Sequence, residues 1–256
     1  MSARTSLIVT LVLSILSLAS CNLPKRQTPQ TLSTAEATPT TLAGSPTEAS
    51  LCGNPYFPST LGDSWEYSGN NNVLGAYTRT DTVTNSSGSA FAINTDQAGV
   101  AYTQIYTCST QGILSANPVR QYVGALLNDP NVPLNVEVTS NAGLSLPAQV
   151  TPGDTWQQTA DFKASSQDFN LSGRFVFNYS AVGFEQITVP FGSLNALRVD
   201  ATIRIEVSGL HILAGTYTTS TWLAVGIGVV KSQGSSNVPG VDFSDAMQLT
   251  QFTSSP

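Results

Sequence analysis

Three cysteines carry the most specific chemistry in this sequence. Cys21 follows a mostly apolar run over 7–18 and the small residues Ala19 and Ser20, a pattern typical of lipoprotein signal peptides, in which the cysteine becomes the first residue of the mature protein and carries acyl chains such as palmitate. The apolar run has about 12 residues, which fits a secretory signal and is too short to span a bilayer. We therefore expect a lipoprotein signal peptide over 1–20 and lipidation at Cys21. The alternative is an ordinary cleaved signal with an incidental cysteine.

The other two cysteines, Cys52 and Cys108, are candidates for a disulfide bond. Two cysteines that remain in an exported domain usually pair, because the compartment is oxidising. Such a bond would tie the first residues of the folded region to a later strand. The alternative is a pair of buried free thiols.

Residues suited to catalysis are few. The single histidine, His211, would have to carry any Ser-His-Asp site, and one histidine rules out a metal site with several histidine ligands. Gly62-Asp63-Ser64-Trp65 looks like the start of a G-D-S esterase, but Ser208 stands three residues before His211, where such an enzyme has aspartate. We therefore expect no enzyme, no cofactor and no metal. A carbohydrate hydrolase with a carboxylate pair is the enzymatic alternative, although no pair stands out.

Aromatic side chains give a separate hypothesis. If these residues lie on the concave face of an open sheet, they would bind an apolar ligand. The alternative is an ordinary packed core. The candidate ligand-binding residues are Trp156, Phe169, Phe175, Phe177, Tyr179 and Trp222.

Composition limits the domains and partners. Residues 22–50 are rich in Thr, Pro, Ser and Ala without apolar periodicity, so we expect 21–50 to be a lipidated cysteine followed by a disordered tether. Residues 51–256 then form one domain. Only 10% of the residues are charged and the basic ones are scattered, which excludes a nucleic-acid partner. The expected partners are a membrane, through the lipid anchor, and an apolar small molecule or envelope protein.

The fold prediction depends on strands. Leu197–Ser208 alternates apolar and polar residues throughout, as a strand with one buried face does, and 169–181 alternates in the same way. A short strand is predicted over 184–189, and a helical turn over 119–127. Further strands are predicted at 76–84, 89–94, 99–107, 132–139, 155–163, 216–224, 227–233 and 245–252. These patterns predict an all-β fold with a large curved antiparallel sheet, either an open half-barrel or a barrel.

Two short matches indicate that the sheet consists of two duplicated halves. Gly62-Asp63-Ser64-Trp65 recurs as Gly153-Asp154-Thr155-Trp156. The segment from Tyr106 to Leu114 matches the segment from Trp222 to Val230, because in each an aromatic residue precedes a glycine by six positions. We expect each half to begin with a turn and a tryptophan, and to end with a glycine-containing hairpin.

Four motifs together resemble the TapB-type family of exported bacterial lipoprotein domains of unknown function. They are Asn54-Pro55-Tyr56-Phe57-Pro58, Gly62-Asp63-Ser64-Trp65-Glu66-Tyr67, Val189-Pro190-Phe191-Gly192-Ser193-Leu194 and the hairpin from Trp222 to Lys231. The resemblance implies a fold and no catalytic residues. Its sheet is similar to the half-barrels of lipoprotein carriers, which hold acyl chains, by fold analogy alone.

The combined expectation is an extracytoplasmic, membrane-anchored bacterial lipoprotein without catalytic activity. In one form it binds an apolar ligand or an envelope partner. In another it is a structural or scaffold surface protein with a filled core. A cavity of several hundred Å³ would favour the first form, and a closed core the second.

Overall fold

The computed structural model describes residues 50–119, 135–165, 170–208, 215–237 and 242–255. These residues form strands and connections without a helix, so none of them belongs to a helix that could cross a membrane. Pro46–Pro256 forms one compact unit. The predicted signal peptide, Cys21 and the tether up to residue 49 lie outside the described residues.

All the strands belong to one antiparallel sheet. The strands are β1 (Ser64–Asn71), β2 (Gly75–Ser86), β3 (Ala90–Gln97), β4 (Val100–Ser109), β5 (Gly112–Ser115), β6 (Asn135–Gly143), β7 (Leu146–Pro147), β8 (Thr155–Ser165), β9 (Asn170–Val189), β10 (Gly192–Ser208), β11 (Gly215–Ala224), β12 (Gly228–Asn237) and β13 (Ser244–Thr253). Their spatial order is β6-β8-β9-β10-β11-β12-β13-β1-β2-β3-β4-β5-β7. The sheet is an open half-barrel with β6 and β7 at its edges, which confirms the all-β prediction and selects the open form.

The clearest sequence pattern gives the expected strand. In β10 the apolar residues of the predicted alternation are buried, from Leu197 to Ile205, and Thr202, Arg204 and Glu206 are exposed between and beyond them. The predicted segments 169–181 and 184–189 belong to one strand, β9, instead of two. Val182 is an extra residue there, and a bulge of this kind bends a strand without ending it. The predicted helical turn lies outside the described residues, apart from its first residue.

The first sequence match is an equivalent turn in both halves of the sheet. The main-chain N–H of Asp63 donates to the carbonyl of Thr60 at 3.0 Å, and the Asp63 carboxylate accepts from the N–H of Thr60 at 3.1 Å. Asp154 repeats both bonds with Thr151, at 3.1 and 2.7 Å. Each aspartate therefore closes the turn that starts its half, as expected for a turn residue and not for a catalytic one.

The strands that follow these turns pair in the same register. In β1 and β2, Trp65 lies opposite Asp81, and in β8 and β9, Trp156 lies opposite Tyr179. The two hairpins are therefore structural equivalents, which supports the duplication.

The second sequence match does not join equivalent positions. Ser109 pairs with Gly112 across the β4–β5 turn, whereas Ala224 pairs with Gly228 across the β11–β12 turn, which has one more residue. Because side chains alternate along a strand, the extra residue puts Tyr106 and Trp222 on opposite faces.

The buried side chains form two clusters. One contains Trp65, Phe91, Tyr106, Leu197 and residues around them, and spans both halves. The other is built on β8, β9 and β10, with Val119 packed into it; its buried members are Val119, Ala160, Phe162, Ala164, Phe175, Phe177, Ile203 and Ile205. Side chains of both clusters line cavities between them.

Candidate ligand-binding cavity

The segment Cys52–Pro58, which we call the strap, joins separate parts of the sheet. Cys52 forms a disulfide with Cys108 at the end of β4, so this predicted bond is confirmed. The Asn54 amide donates to the carbonyl of Pro147 in β7 at 2.9 Å. The carbonyl of Pro55 accepts from Gly226, in the β11–β12 turn, at 2.8 Å. The strap is therefore fastened to both halves.

Phe57 places an aromatic ring of the strap inside the sheet. Its ring centroid lies 5.3 Å from that of Phe91 and 5.0 Å from that of Tyr106. Three cavities, of about 340, 250 and 100 Å³, are lined in part by Phe57. All three also share Gln104, Tyr106 and Val229, so they adjoin at this point. The largest is within the size range of small-molecule sites.

One wall of the cavities holds a buried ion pair. The guanidinium of Arg79 donates from Nε and Nη2 to the two carboxylate oxygens of Asp81, at 2.9 and 2.8 Å. The Arg79 and Asp81 side chains are only 16% and 11% exposed. The hydroxyl of Thr95, which is fully buried, donates to Asp81 at 2.7 Å. Burial raises the pKa of the neighbouring Tyr67, and the Asp81 carboxylate adds to the effect.

A second carboxyl group lies on the same wall. The hydroxyl of Tyr77 donates to Asp245 of β13 at 2.8 Å. Burial raises the pKa of Asp245 above its ordinary value, against the lowering effect of the Tyr77 hydrogen bond. Burial also raises the pKa of Tyr77. Among the described residues, no three potential metal ligands cluster, here or elsewhere.

Strands β8 to β11 contribute uncharged side chains to the cavities. In the largest cavity the apolar ones include Val199 and Ile203 of β10 and Leu223 of β11. Trp156 and Tyr179 also line it, as a stacked pair with ring centroids 5.3 Å apart. The cavity is therefore amphipathic, with apolar side chains from both halves of the sheet and its charged groups confined to β2 and β13.

Some of the predicted ligand-binding residues meet here. Trp156 and Tyr179 line the largest cavity, and Phe177 and Tyr179 line the cavity of about 250 Å³. Phe175 is fully buried in the cluster on β8–β10 and does not line any of the three cavities. Phe169 and the candidate His211 lie outside the described residues.

Trp222 lies on the other face of the sheet. Its strand neighbours Thr221 and Leu223 line the largest cavity, so its own side chain points away from it. The indole N–H donates to Glu185 at 2.7 Å. The ring lies 4.5 Å from the Lys231 ammonium, within cation–π distance. Trp222 is thus buried beside charged groups at the edge of the first cluster and lines none of the three cavities.

Sequence reasoning missed the ion pair of Arg79 and Asp81. In β2 the order Tyr77-Thr78-Arg79-Thr80-Asp81-Thr82-Val83 puts both charges on the same face as Tyr77 and Val83, which are buried. Two charges between two large apolar residues at period-two spacing were the available signal.

Comparisons with known proteins support the fold alone. No family model and no curated protein matches the sequence. A Bacteroides fragilis chain described as an exported protein with a YmcC-like fold superposes with a TM-score of 0.52 and 15% identity, over 78% of this chain and 100% of that one. A Parabacteroides distasonis chain described as a lipoprotein gives 0.52 and 13%, over 78% and 99%. The TapB-type resemblance stays a prediction. The chain has the YmcC-like fold.

Proposed function

We propose that this protein is an extracytoplasmic, membrane-anchored lipoprotein that binds an apolar or amphipathic small molecule inside its sheet, without catalysis. The observation that carries the proposal is the cavity of about 340 Å³ beneath the strap. The apolar surface of this cavity includes the side chains of Trp156, Tyr179, Val199 and Leu223. Burying apolar ligand surface there is favourable by about 25 cal/mol per Å².

Three observations support the proposed location. The Cys52–Cys108 disulfide belongs in an oxidising compartment. Cys21 follows a signal-like apolar run, and the segment after it has the composition of a tether. The two solved chains of similar fold are described as an exported protein and a lipoprotein. Export with acylation of Cys21 accounts for all three.

The two other candidate functions have less support. A scaffold protein requires a filled core, whereas the space between the two clusters leaves cavities. A carbohydrate hydrolase requires a carboxyl group that acts on a substrate, and both carboxyls on the cavity wall are already engaged, Asp81 by Arg79 and Asp245 by Tyr77.

Native mass spectrometry tests ligand binding. The mature chain with Cys21→Ser would be exported behind an ordinary signal peptide and purified without detergent. We expect an added mass that organic extraction removes, and its value identifies the ligand. An unliganded mass, both as purified and after incubation with envelope lipids, would contradict the binding proposal.

Metabolic labelling tests the anchor independently. Cells that express the full chain would be grown with radioactive palmitate, and we expect label in the wild type and none in Cys21→Ser. Equal labelling of the two proteins, or no label in either, would contradict lipidation at Cys21.

A further inference from the structure

We infer that the ligand is neutral, and that a hydrogen-bond acceptor on it, such as the carbonyl oxygen of an acyl ester, binds at Arg79. This inference rests on the proposed binding function and names the class of ligand. It comes from the few charged groups among the residues that line the cavities.

Arg79 is the cationic donor among the described residues that line these cavities. It lines both the cavity of about 340 Å³ and the one of about 100 Å³. Its bonds to Asp81 use Nε and Nη2, so Nη1 is the guanidinium nitrogen that those bonds leave for another acceptor. Gln104 lines the same two cavities and accepts the Tyr106 hydroxyl at Oε1, which directs its amide nitrogen, a donor, elsewhere. Arg79 Nη1 and the Gln104 amide nitrogen can therefore donate hydrogen bonds to an acceptor on the ligand.

The surrounding charge excludes an anionic ligand group. Asp81 already balances the charge of Arg79. Asp245 adds a second carboxyl group to the wall of the largest cavity. A carboxylate or phosphate on the ligand would add negative charge to a poorly solvated site without a free cation among the described residues that line it, and burying an unpaired charge is very costly. An ester or amide carbonyl accepts hydrogen bonds without that cost.

The ion pair itself points to binding. Desolvating two charges generally offsets their attraction, so a buried pair is weak evidence for a stabilising role. Here both members of the pair line the smallest cavity, and Arg79 also lines the largest one together with Tyr179, Val199 and Leu223. The acyl part of the ligand would pack on those side chains while its carbonyl meets Arg79.

A competition experiment tests the inference. The mature Cys21→Ser chain would be saturated with the neutral fluorescent probe N-phenylnaphthylamine, which methyl decanoate, decanoate or decane would then displace at neutral pH. We expect the ester to bind about tenfold more tightly than either of the others, because decane leaves the donors unsatisfied and decanoate is ionised.

Paired variants locate the effect. Arg79→Met/Asp81→Leu removes both charges and the Arg79 donors together, and should remove most of the preference for the ester while decane binds as before. Arg174→Met/Asp161→Leu changes an exposed pair in the equivalent hairpin and should keep the preference. Equal binding of ester and decane by the wild type, or tighter binding of decanoate, would overturn this inference and leave the binding function intact. Failure of the probe and all three ligands to bind would overturn both.

Discussion

The hairpins β1–β2 and β8–β9 share a backbone and differ in what they place inside the sheet. Both begin with an aspartate turn and a tryptophan, and both pair in the same register. In that register Arg79 takes the place of Phe177, and Asp81 takes the place of Tyr179. The turn and the register thus fix the backbone of each hairpin, while the side chains that point inward differ between the two hairpins. The matching turns and register are what a duplicated sheet predicts, and the pair of Arg79 and Asp81 is then a difference between its two halves.

The two hairpins also differ at Tyr77 of β2, whose equivalent in β9 is Phe175, and side-chain packing explains the difference. Opposite Tyr77 in β2 stands Gly69, and a side chain at Gly69 would collide with the Tyr77 ring. The glycine lets Tyr77 lie across β1 and deliver its hydroxyl to Asp245 in β13. The equivalent pair in the second hairpin is Ala160 and Phe175, which are both fully buried and carry no such bond.

The largest expected effect separates the ion pairs of the two hairpins. Arg79→Met leaves Asp81 buried and unpaired, so it should lower the free energy of unfolding by about 3–5 kcal/mol. Arg174→Met removes an arginine from an exposed pair and should change it little. Urea unfolding of both variants measures the difference. The double variant Arg79→Met/Asp81→Leu should recover most of the loss, and equal midpoints for the two single variants would contradict a buried pair.

The second-largest expected effect is a difference in stability between the alanine variants of Trp65 and Trp156. Trp65 is buried and donates its indole N–H to the carbonyl of Ile227, so Trp65→Ala should destabilise by about 3–5 kcal/mol. Trp156 lines the cavity and is only partly buried, so Trp156→Ala should cost about 2 kcal/mol. Urea midpoints give both values. A larger loss for Trp156→Ala would contradict the deeper burial of Trp65.

The turn aspartates test the shared frame. Asp63 is 1% exposed and also accepts the N–H of Ser255 at 2.9 Å, so Asp63→Ala should cost about 1–3 kcal/mol. Asp154 is exposed, and in the described structure its carboxylate bonds only to Thr151 within its own turn, so Asp154→Ala should cost about 0.5–1 kcal/mol. Thermal unfolding measures both changes. If neither variant loses stability, the aspartate turns do not stabilise the two hairpins.

The smallest effect is a pH dependence. Because burial raises the pKa of Asp245 from its ordinary 3.8, the folded protein binds this proton more tightly than the unfolded chain does. The stability that protonated Asp245 contributes to the folded protein is therefore fully present below pH 3.8, and it is lost as the pH rises through the pKa of Asp245 in the folded state. Asp245→Asn cannot ionise but still accepts from Tyr77, so it should gain stability relative to wild type across that window. Unfolding curves from pH 3 upward test this, and a constant difference would contradict it.

Much of the fold was predictable because a strand with one buried face has a sequence in which apolar and polar residues alternate. The alternation in β10 identified the strand, since one side of it packs inside and the other meets water. In β1 the sequence Ser64-Trp65-Glu66-Tyr67-Ser68-Gly69-Asn70-Asn71 gives a weak pattern after Tyr67, and β5 and β7 have only four and two residues. The patterns therefore predicted none of these three as strands.

The site was less predictable because it depends on which face each side chain takes. Trp156, Phe177 and Tyr179 follow the expected apolar face and reach the cavities. Trp222 does not, because an aromatic residue suits either face and the length of the β11–β12 turn sets the register. Arg79 is one of the scattered basic residues of the sequence, and its burial depends on side chains from other strands and the strap, such as Tyr67 and Phe57, which the pattern of β2 alone does not show.

A crystal structure of the mature Cys21→Ser chain with methyl decanoate tests the central claim most directly. The account predicts the ester inside the sheet, its carbonyl oxygen within about 3 Å of the Arg79 guanidinium and its chain against Tyr179 and Val199. A cavity that contains no ester at saturating concentration, or an ester with its carbonyl turned away from Arg79, would contradict it.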